Sequence, residues 1–252
     1  TLLHNKDKTN DLKIFALNTL VIESSIKKLK IIPVINIADD SLLVSNVKDL
    51  ISKKVVDELC LRITSSNLKD LDILNNKISS LLNFLKTVKQ KVHLLVDLKY
   101  LDPLSGNYDV LFSSAQKIRD LSQFSEFIFA DGAFPVDMSE CPFEEPTYLP
   151  RRDWISWKNN TAKKDLDRVP VYSDYSIRHP LYNDSLQFFE STSTLKYTLQ
   201  SQWMIMKGKK RALELSLTHA SLLVKQPEFK SATHNKWGSF SFGDEYISKK
   251  AK

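Results

Sequence analysis

Four apolar runs in this sequence each end near a side chain able to do chemistry. Arg62 lies in LCLRIT, Asp97 in KVHLLVDLK, Asp131 in EFIFAD and Asp174 in VPVYSDY. Three carboxylates offer hard oxygen donors that suit a divalent cation such as Mg2+, and a guanidinium matches the fork of a phosphate. Such a set would serve metal-assisted phosphodiester hydrolysis, in which the cation orients water and neutralises developing charge. The plainer use of the same residues is a buried Arg62–Asp97 ion pair, with Asp131 and Asp174 capping the turns or helices that follow. All four sit near the C-terminal ends of strand-like runs. In a parallel barrel those ends form one rim, where ligands and catalytic groups converge.

The run around Asp174 continues as VPVYSDYSIRHP, bracketed by Pro170 and Pro180. Two prolines stiffen the passage from strand to loop. They would lift Asp174 and Tyr175 to the rim and send Arg178 and His179 into the loop above it. A structural corner, with the Tyr175 hydroxyl bonded to backbone, would use the same residues.

Charge is distributed unevenly. The net charge is +6, yet residues 196–252 hold eleven Lys and Arg against four Asp and Glu. Lys207, Lys209, Lys210 and Arg211 precede a helical pattern, whose N-terminal amides and dipole would add to the cations in holding an anion. Lys225, Lys230 and Lys236 extend the basic surface, and Trp237, Phe240, Phe242 and Tyr246 are interleaved as stacking platforms for bases. The alternative is a solvated loop with core aromatics. Trp154 and Trp157, three apart beside Arg151 and Arg152, share a helix face that either seals an apolar layer or docks a partner protein.

Other chemistries are poorly served. The sequence contains no G-x-S-x-G, H-E-x-x-H, G-x-x-x-x-G-K-[ST] or G-x-G-x-x-G, and five glycines leave little for a phosphate-cradling loop. The five histidines are isolated, which disfavours zinc. His93 shares the alternation of Asp97 and is either a proton carrier or a core residue. Cys60 alternates with Arg62 but has no base near it in sequence, so packing is its expected role.

The elements that must position these groups form a repeating series. Strand candidates fall at 14–20, 31–37, 56–64, 91–99, 126–131, 169–175, 196–206 and 239–243. The clearest helix spans 67–89, with Leu68, Leu71, Leu74, Ile78, Leu81, Leu82, Leu85 and Val88 on one face, and weaker helices fall at 41–55, 110–123, 151–164 and 211–224. Alternating strands and helices imply parallel crossovers. The expectation is a single α/β domain over 1–252, a (β/α)8 TIM-barrel-like fold, incomplete or irregular, with an open doubly wound sheet as the second choice. Four prolines make 132–150 an irregular insertion that would suit a lid.

At 252 residues with 42% hydrophobic side chains, the chain can bury a full core. Two cysteines build no disulfide framework, no apolar run reaches the roughly 18 residues of a membrane span, and no signal peptide is visible, so a cytoplasmic location is expected. A start at Thr1 and an end at SKKAK point to a piece of a longer chain.

The blocks KIIPVINI, ELCLRIT, KVHLLVDLKYLD, SEFIFADGAFP, YLPRRDW, RVPVYSDYSIRHP, LKYTLQSQWMIMKG and FGDEYI, taken in order, resemble the beta protein family of bacteriophages and prokaryotic mobile elements. The resemblance implies a barrel-shaped α/β protein of phage-conflict or antiviral-defence type. It singles out Arg62, Asp97, Arg151, Asp174, Tyr175, Lys207, Gly208, Gly243 and Asp244 as matching positions, without assigning them roles. Residues and resemblance together lead to an expectation of binding to a phosphate-bearing ligand, nucleic acid or nucleotide. Asp97, Asp131 and Asp174 are candidate catalytic groups, and Arg62, Arg151, Tyr175, Lys207, Lys209, Lys210, Arg211 and Asp244 candidate ligand contacts. The alternatives are a metal-dependent phosphodiesterase or nuclease, and a non-catalytic subunit that docks an effector protein in a defence complex.

Overall fold

The computed structural model describes residues 2–101, 107–143, 145–180, 193–208, 213–227, 229 and 242–251. Backbone contacts gather them into two compact units, Thr1–Asp131 with Ser156–Asp174, and Gly132–Ile155 with Tyr175–Lys252.

The first unit is built on a parallel sheet whose core strands are buried runs of the kind that such sheets require. β1 (Val34–Asn36), β2 (Leu59–Thr64), β3 (Val92–Tyr100), β4 (Glu126–Gly132) and β6 (Val171–Asp174) lie in the order β1-β2-β3-β4-β6. The register pairs Arg62 with Asn36 on one side and Leu95 on the other, and Thr64 with Asp97. Period-two alternation then separates two faces. Ile35, Leu59, Leu61, Ile63, Val92, Leu94, Val96 and Leu98 make one face wholly apolar and buried. Asn36, Arg62, Thr64 and Asp97 stand on the other.

Helices α2 (Ser41–Ser52) and α3 (Leu71–Leu85) bury amphipathic stripes, Leu43, Val44 and Val47 in the first and Leu74, Ile78, Leu82 and Leu85 in the second. Each begins on an aspartate whose carboxylate accepts a backbone N–H of the first turn, Asp40 from Leu42 and Asp70 from Ile73. In α4 (Tyr108–Gln116), Phe112 and Tyr108 pack edge-on to Phe129 of β4, with ring centres 5.1 and 5.5 Å away. A further helix, α5 (Arg152–Thr161), has Arg152–Ile155 in the second unit and Ser156–Thr161 in the first.

The second unit contains an antiparallel sheet of β5 (Pro146–Pro150), β8 (Gln202–Met206) and β7 (Leu195–Thr198), in that order. One face, with Met204, Met206 and Leu199, packs with Leu223 and Phe229 into a core that also takes in Tyr197, Leu222 and Ile247. These last residues bring in α6 (Leu213–Leu223) and α7 (Phe242–Lys250).

The α/β class and the parallel sheet agree with the sequence reading, and several elements differ. Residues 14–20 are not a strand but the middle of α1 (Leu2–Ile26). A short mixed apolar run fits either state, and a helix satisfies its own backbone where a strand there would need a neighbour. Residues 196–206 form a hairpin rather than one strand, because Leu199 N–H turns back onto the Gln202 carbonyl at 2.8 Å. The span 132–150 contains β5. Within 239–243, residues 239–241 lie outside the described residues and Phe242 opens α7. Three of the eight described strands thus belong to an antiparallel sheet. Among the described residues no pairing returns β6 to β1, so no closed barrel is found there.

Phe129 is fully buried between Phe112 and Tyr108. Phe129→Ala is expected to cost about 3–5 kcal/mol through lost burial and a residual cavity. Urea denaturation would check this, and a loss below about 1 kcal/mol would show that the aromatic cluster is not a principal core.

Candidate functional site

Where β1, β2 and β3 end, their polar face carries a continuous chain of hydrogen bonds. Arg62 donates from Nε and Nη2 to one oxygen of Asp97, at 2.7 and 2.5 Å, and from Nη1 to the Asn36 side-chain oxygen at 3.0 Å. Asn36 is turned for this by Asp39, which accepts its side-chain amide and its backbone N–H. The other Asp97 oxygen accepts the Lys99 N–H at 2.8 Å, and Lys99 adopts a left-handed backbone, φ 62°, as the strand ends. The Asp97 side chain is 4% exposed and that of Arg62 27%. A carboxylate so buried requires a cation, and the guanidinium that supplies it keeps access to solvent.

Asp131 and Asp174 lie directly opposite one another on β4, the neighbour of β3, and β6. Residues opposite in a parallel pair share a face, with strands roughly 4.8 Å apart. Asp131 is fully buried. Asp174 accepts the Tyr172 hydroxyl at 2.9 Å, and Trp157 packs edge-on to the Tyr172 ring. Asp97 thus pairs with Arg62, and Asp131 stands opposite Asp174. Among the described residues no three His, Cys, Asp or Glu side chains gather as a metal-holding cluster.

The other candidates have identifiable surroundings. Arg151 donates to the Leu199 carbonyl at 3.2 Å, its backbone N–H bonds Ser201, and its guanidinium lies 5.7 Å from the Trp154 ring centre, so it clasps the β7–β8 turn. Tyr175 and Pro180 close over Gly132, where an added Cβ would meet Pro180 Cγ at 2.8 Å and Tyr175 at 3.2 Å. Only a residue without a side chain fits there. Lys207 donates to the Ser139 carbonyl at 3.3 Å and lies 4.5 Å over the Phe143 ring. Next to it, Gly208 approaches the Ser193 carbonyl so closely that a Cβ would stand 2.3 Å from the oxygen. Asp244, in the first turn of α7, accepts the Tyr197 hydroxyl; burial first, and this aspartate second, push the phenol well above its ordinary range. Lys209, Lys210 and Arg211 lie outside the described residues, as do Lys230, His234, Lys236, Trp237 and Phe240.

His93 does not serve Asp97. Four residues along the strand, it bonds Glu58 at 2.8 Å, and Glu58 also takes Lys30 at 2.7 Å. Those bonds, Lys30 first, hold the Glu58 carboxyl below its usual range. The Cys60 thiol is buried and pushed up to about 11, chiefly by burial, with Arg62 pulling weakly the other way. A thiol so held is a packing group.

Asn36 and Asp39 escaped the sequence reading. The signal was present in NIADD, an asparagine at a strand end with an aspartate three residues on, which is a side-chain turn pattern.

Comparison with known proteins bears on the whole chain: the Beta protein family model matches residues 5–252. The chain belongs to the Beta protein family. No curated protein and no solved structure matches it. The family match covers all the blocks on which the resemblance rests, and no described helix is long and apolar enough to cross a membrane.

Two outcomes are expected. Arg62→Ala should destabilise the protein by about 3–5 kcal/mol, because it strands the buried Asp97 charge, while the double variant Arg62→Met/Asp97→Leu should recover most of that loss. Chemical denaturation of the single and double variants measures both, and additive losses would contradict the pairing. Cys60, whose neutral form the fold favours, loses stability as pH rises from the unfolded thiol value of 9.0 toward 11. Iodoacetamide at about pH 8.5 should therefore label Cys60 far more slowly in the native than in the urea-unfolded chain, as resolved by peptide mass spectrometry.

Proposed function

We propose that this protein binds a phosphate-bearing ligand, a nucleic acid or nucleotide, at the C-terminal ends of its parallel strands and along its basic C-terminal flank. The observation that carries this reading is the Arg62 fork. A guanidinium aimed by Asp97 and Asn36, partly open to solvent, stands where ligands of parallel α/β sheets bind. Orientation by two neighbours lowers the entropy lost when such a group engages an oxyanion. The excess of basic over acidic residues in 196–252 supports the same class of ligand, through attraction to a phosphate backbone.

The strand order bears on architecture. Four crossovers lead from β1 to β6 without the reversal that defines a doubly wound sheet, and an unreversed order is what a barrel of the TIM type uses. The barrel reading extends this order to closure. A setting in phage conflict or antiviral defence follows from the family resemblance, and a cytoplasmic location would accord with it.

A second reading, metal-dependent phosphodiester cleavage, is favoured by one observation, the placing of Asp131 and Asp174 opposite one another. Magnesium is commonly held by one or two carboxylates together with substrate phosphates, so this pair has the right donor chemistry. In that case these two aspartates would hold the cation, which would neutralise the phosphate, and Arg62 would orient the ligand.

The test is binding and cleavage of labelled single- and double-stranded DNA and RNA at two salt concentrations, with Mg2+ or EDTA. Affinity should fall steeply with salt, and the folded Arg62→Met/Asp97→Leu variant should lose roughly tenfold or more. Cleavage that requires Mg2+ and disappears in Asp174→Asn would establish the second reading. No binding to any of the four nucleic acids would sink both.

A further inference from the structure

Helix α1 has two sides with different surroundings. It packs against α2, and on its inner side Val21 and Ser24 are buried. On its outer side Leu12, Phe15, Ile22 and Ile26 are 67%, 70%, 61% and 71% exposed, and Leu29, just past the helix end, is 62% exposed. With the exposed Thr19 these residues recur at alternating intervals of three and four, at 12, 15, 19, 22, 26 and 29.

That spacing is the a/d pattern of a heptad, a narrow stripe with a period of about 3.5 residues. A helix lying on its own core needs only the inward stripe. A second, narrow seam facing outward fits another helix that carries the same spacing. Thr19 does not interrupt it, because its hydroxyl already donates to the Phe15 carbonyl at 2.9 Å and its methyl group is free to face a partner without stranding a polar atom.

A second copy of this chain supplies such a helix, and the residues flanking the seam suit a parallel pair. Parallel order sets Asp11 beside Ala16, and Asn18 beside Glu23, of the second copy, so no like charges meet and an amide stands next to a carboxylate. An antiparallel pair that seats Phe15 on Ile26 would instead bring the two Glu23 side chains together. Ten apolar seam side chains, five from each copy, would bury about 600 Å2 of apolar surface, hence roughly 1,000 Å2 in an interface about 60% apolar. An area of that size suits a specific but weak dimer, whose population depends on concentration.

We infer that two copies of this chain associate through α1 as a parallel two-stranded coiled coil, with Leu12, Phe15, Thr19, Ile22 and Ile26 as its seam. The inference is independent of the proposed function.

The test is sedimentation velocity on the full chain from micromolar to near-millimolar concentration. Wild type should pass from monomer to dimer across that range. Ile22→Glu should keep the wild-type Tm at low concentration and need roughly tenfold more protein, or beyond, to dimerise, because two carboxylates then face each other in the seam. Under mild oxidation, Leu12→Cys should form a disulfide-linked dimer, since parallel order brings the two copies of residue 12 together. A wild type that stays monomeric throughout would overturn the inference, and binding of that monomer to phosphatidylserine vesicles would assign the seam to a lipid surface instead. A dimer that Ile22→Glu leaves unchanged would place the contact elsewhere, and a lower Tm for that variant at low concentration would make the seam part of the fold; either result overturns the coiled coil. A reversible dimer in which Leu12→Cys fails to cross-link would contradict the parallel order.

Discussion

A carboxylate buried at the end of a parallel strand requires a cation, and in this protein that requirement organises the sheet around it. Asp97 is almost wholly removed from water, and Arg62 reaches it only because β2 and β3 pair in one register. A slip of one residue would turn Arg62 onto the apolar face, beside Leu94 and Val96 of β3 and away from Asp97. The pairing thus specifies as well as stabilises. Its reach extends to β1, because Arg62 also bonds Asn36, which Asp39 holds in turn. Three strands end at one polar chain, while their opposite face stays uniformly apolar.

In the second unit, close backbone approach plays the corresponding part. Gly208 runs against Ser193, Gly132 lies under Tyr175 and Pro180, and Arg151 clasps the turn between β7 and β8. Several positions singled out by the family resemblance are accounted for by these contacts: Arg151, Tyr175 and Gly208 fix the chain, and Asp244 holds Tyr197. Arg62 and Asp97 differ from them, because the frame they build ends in a cation that remains open to solvent.

The sequence made β2, β3, β4 and β6 legible, because strands buried in a parallel sheet read as short apolar runs. Leu71–Leu85 was legible through its one-sided leucines, and the Arg62–Asp97 pair through alternation on two neighbouring strands. The rest depended on distant partners. The turn at Leu199–Gln202 contains no glycine or proline to mark it and is held by an arginine 48 residues away. The segment IFALNTL reads equally well as strand or helix until its neighbours are known. That Asp131 stands opposite Asp174 follows from strand order and register, which no single run of residues encodes.

The central claim is that the Arg62 guanidinium, fixed by Asp97, receives a phosphate. The most direct measurement follows its Nε–H resonance by 15N NMR while a 5′-phosphorylated oligonucleotide is added. The account predicts a resonance protected from solvent exchange in the free protein, as its bond to Asp97 requires, which then shifts saturably with the ligand. Saturable shifts elsewhere in the spectrum, with the Arg62 signal unmoved, would contradict it.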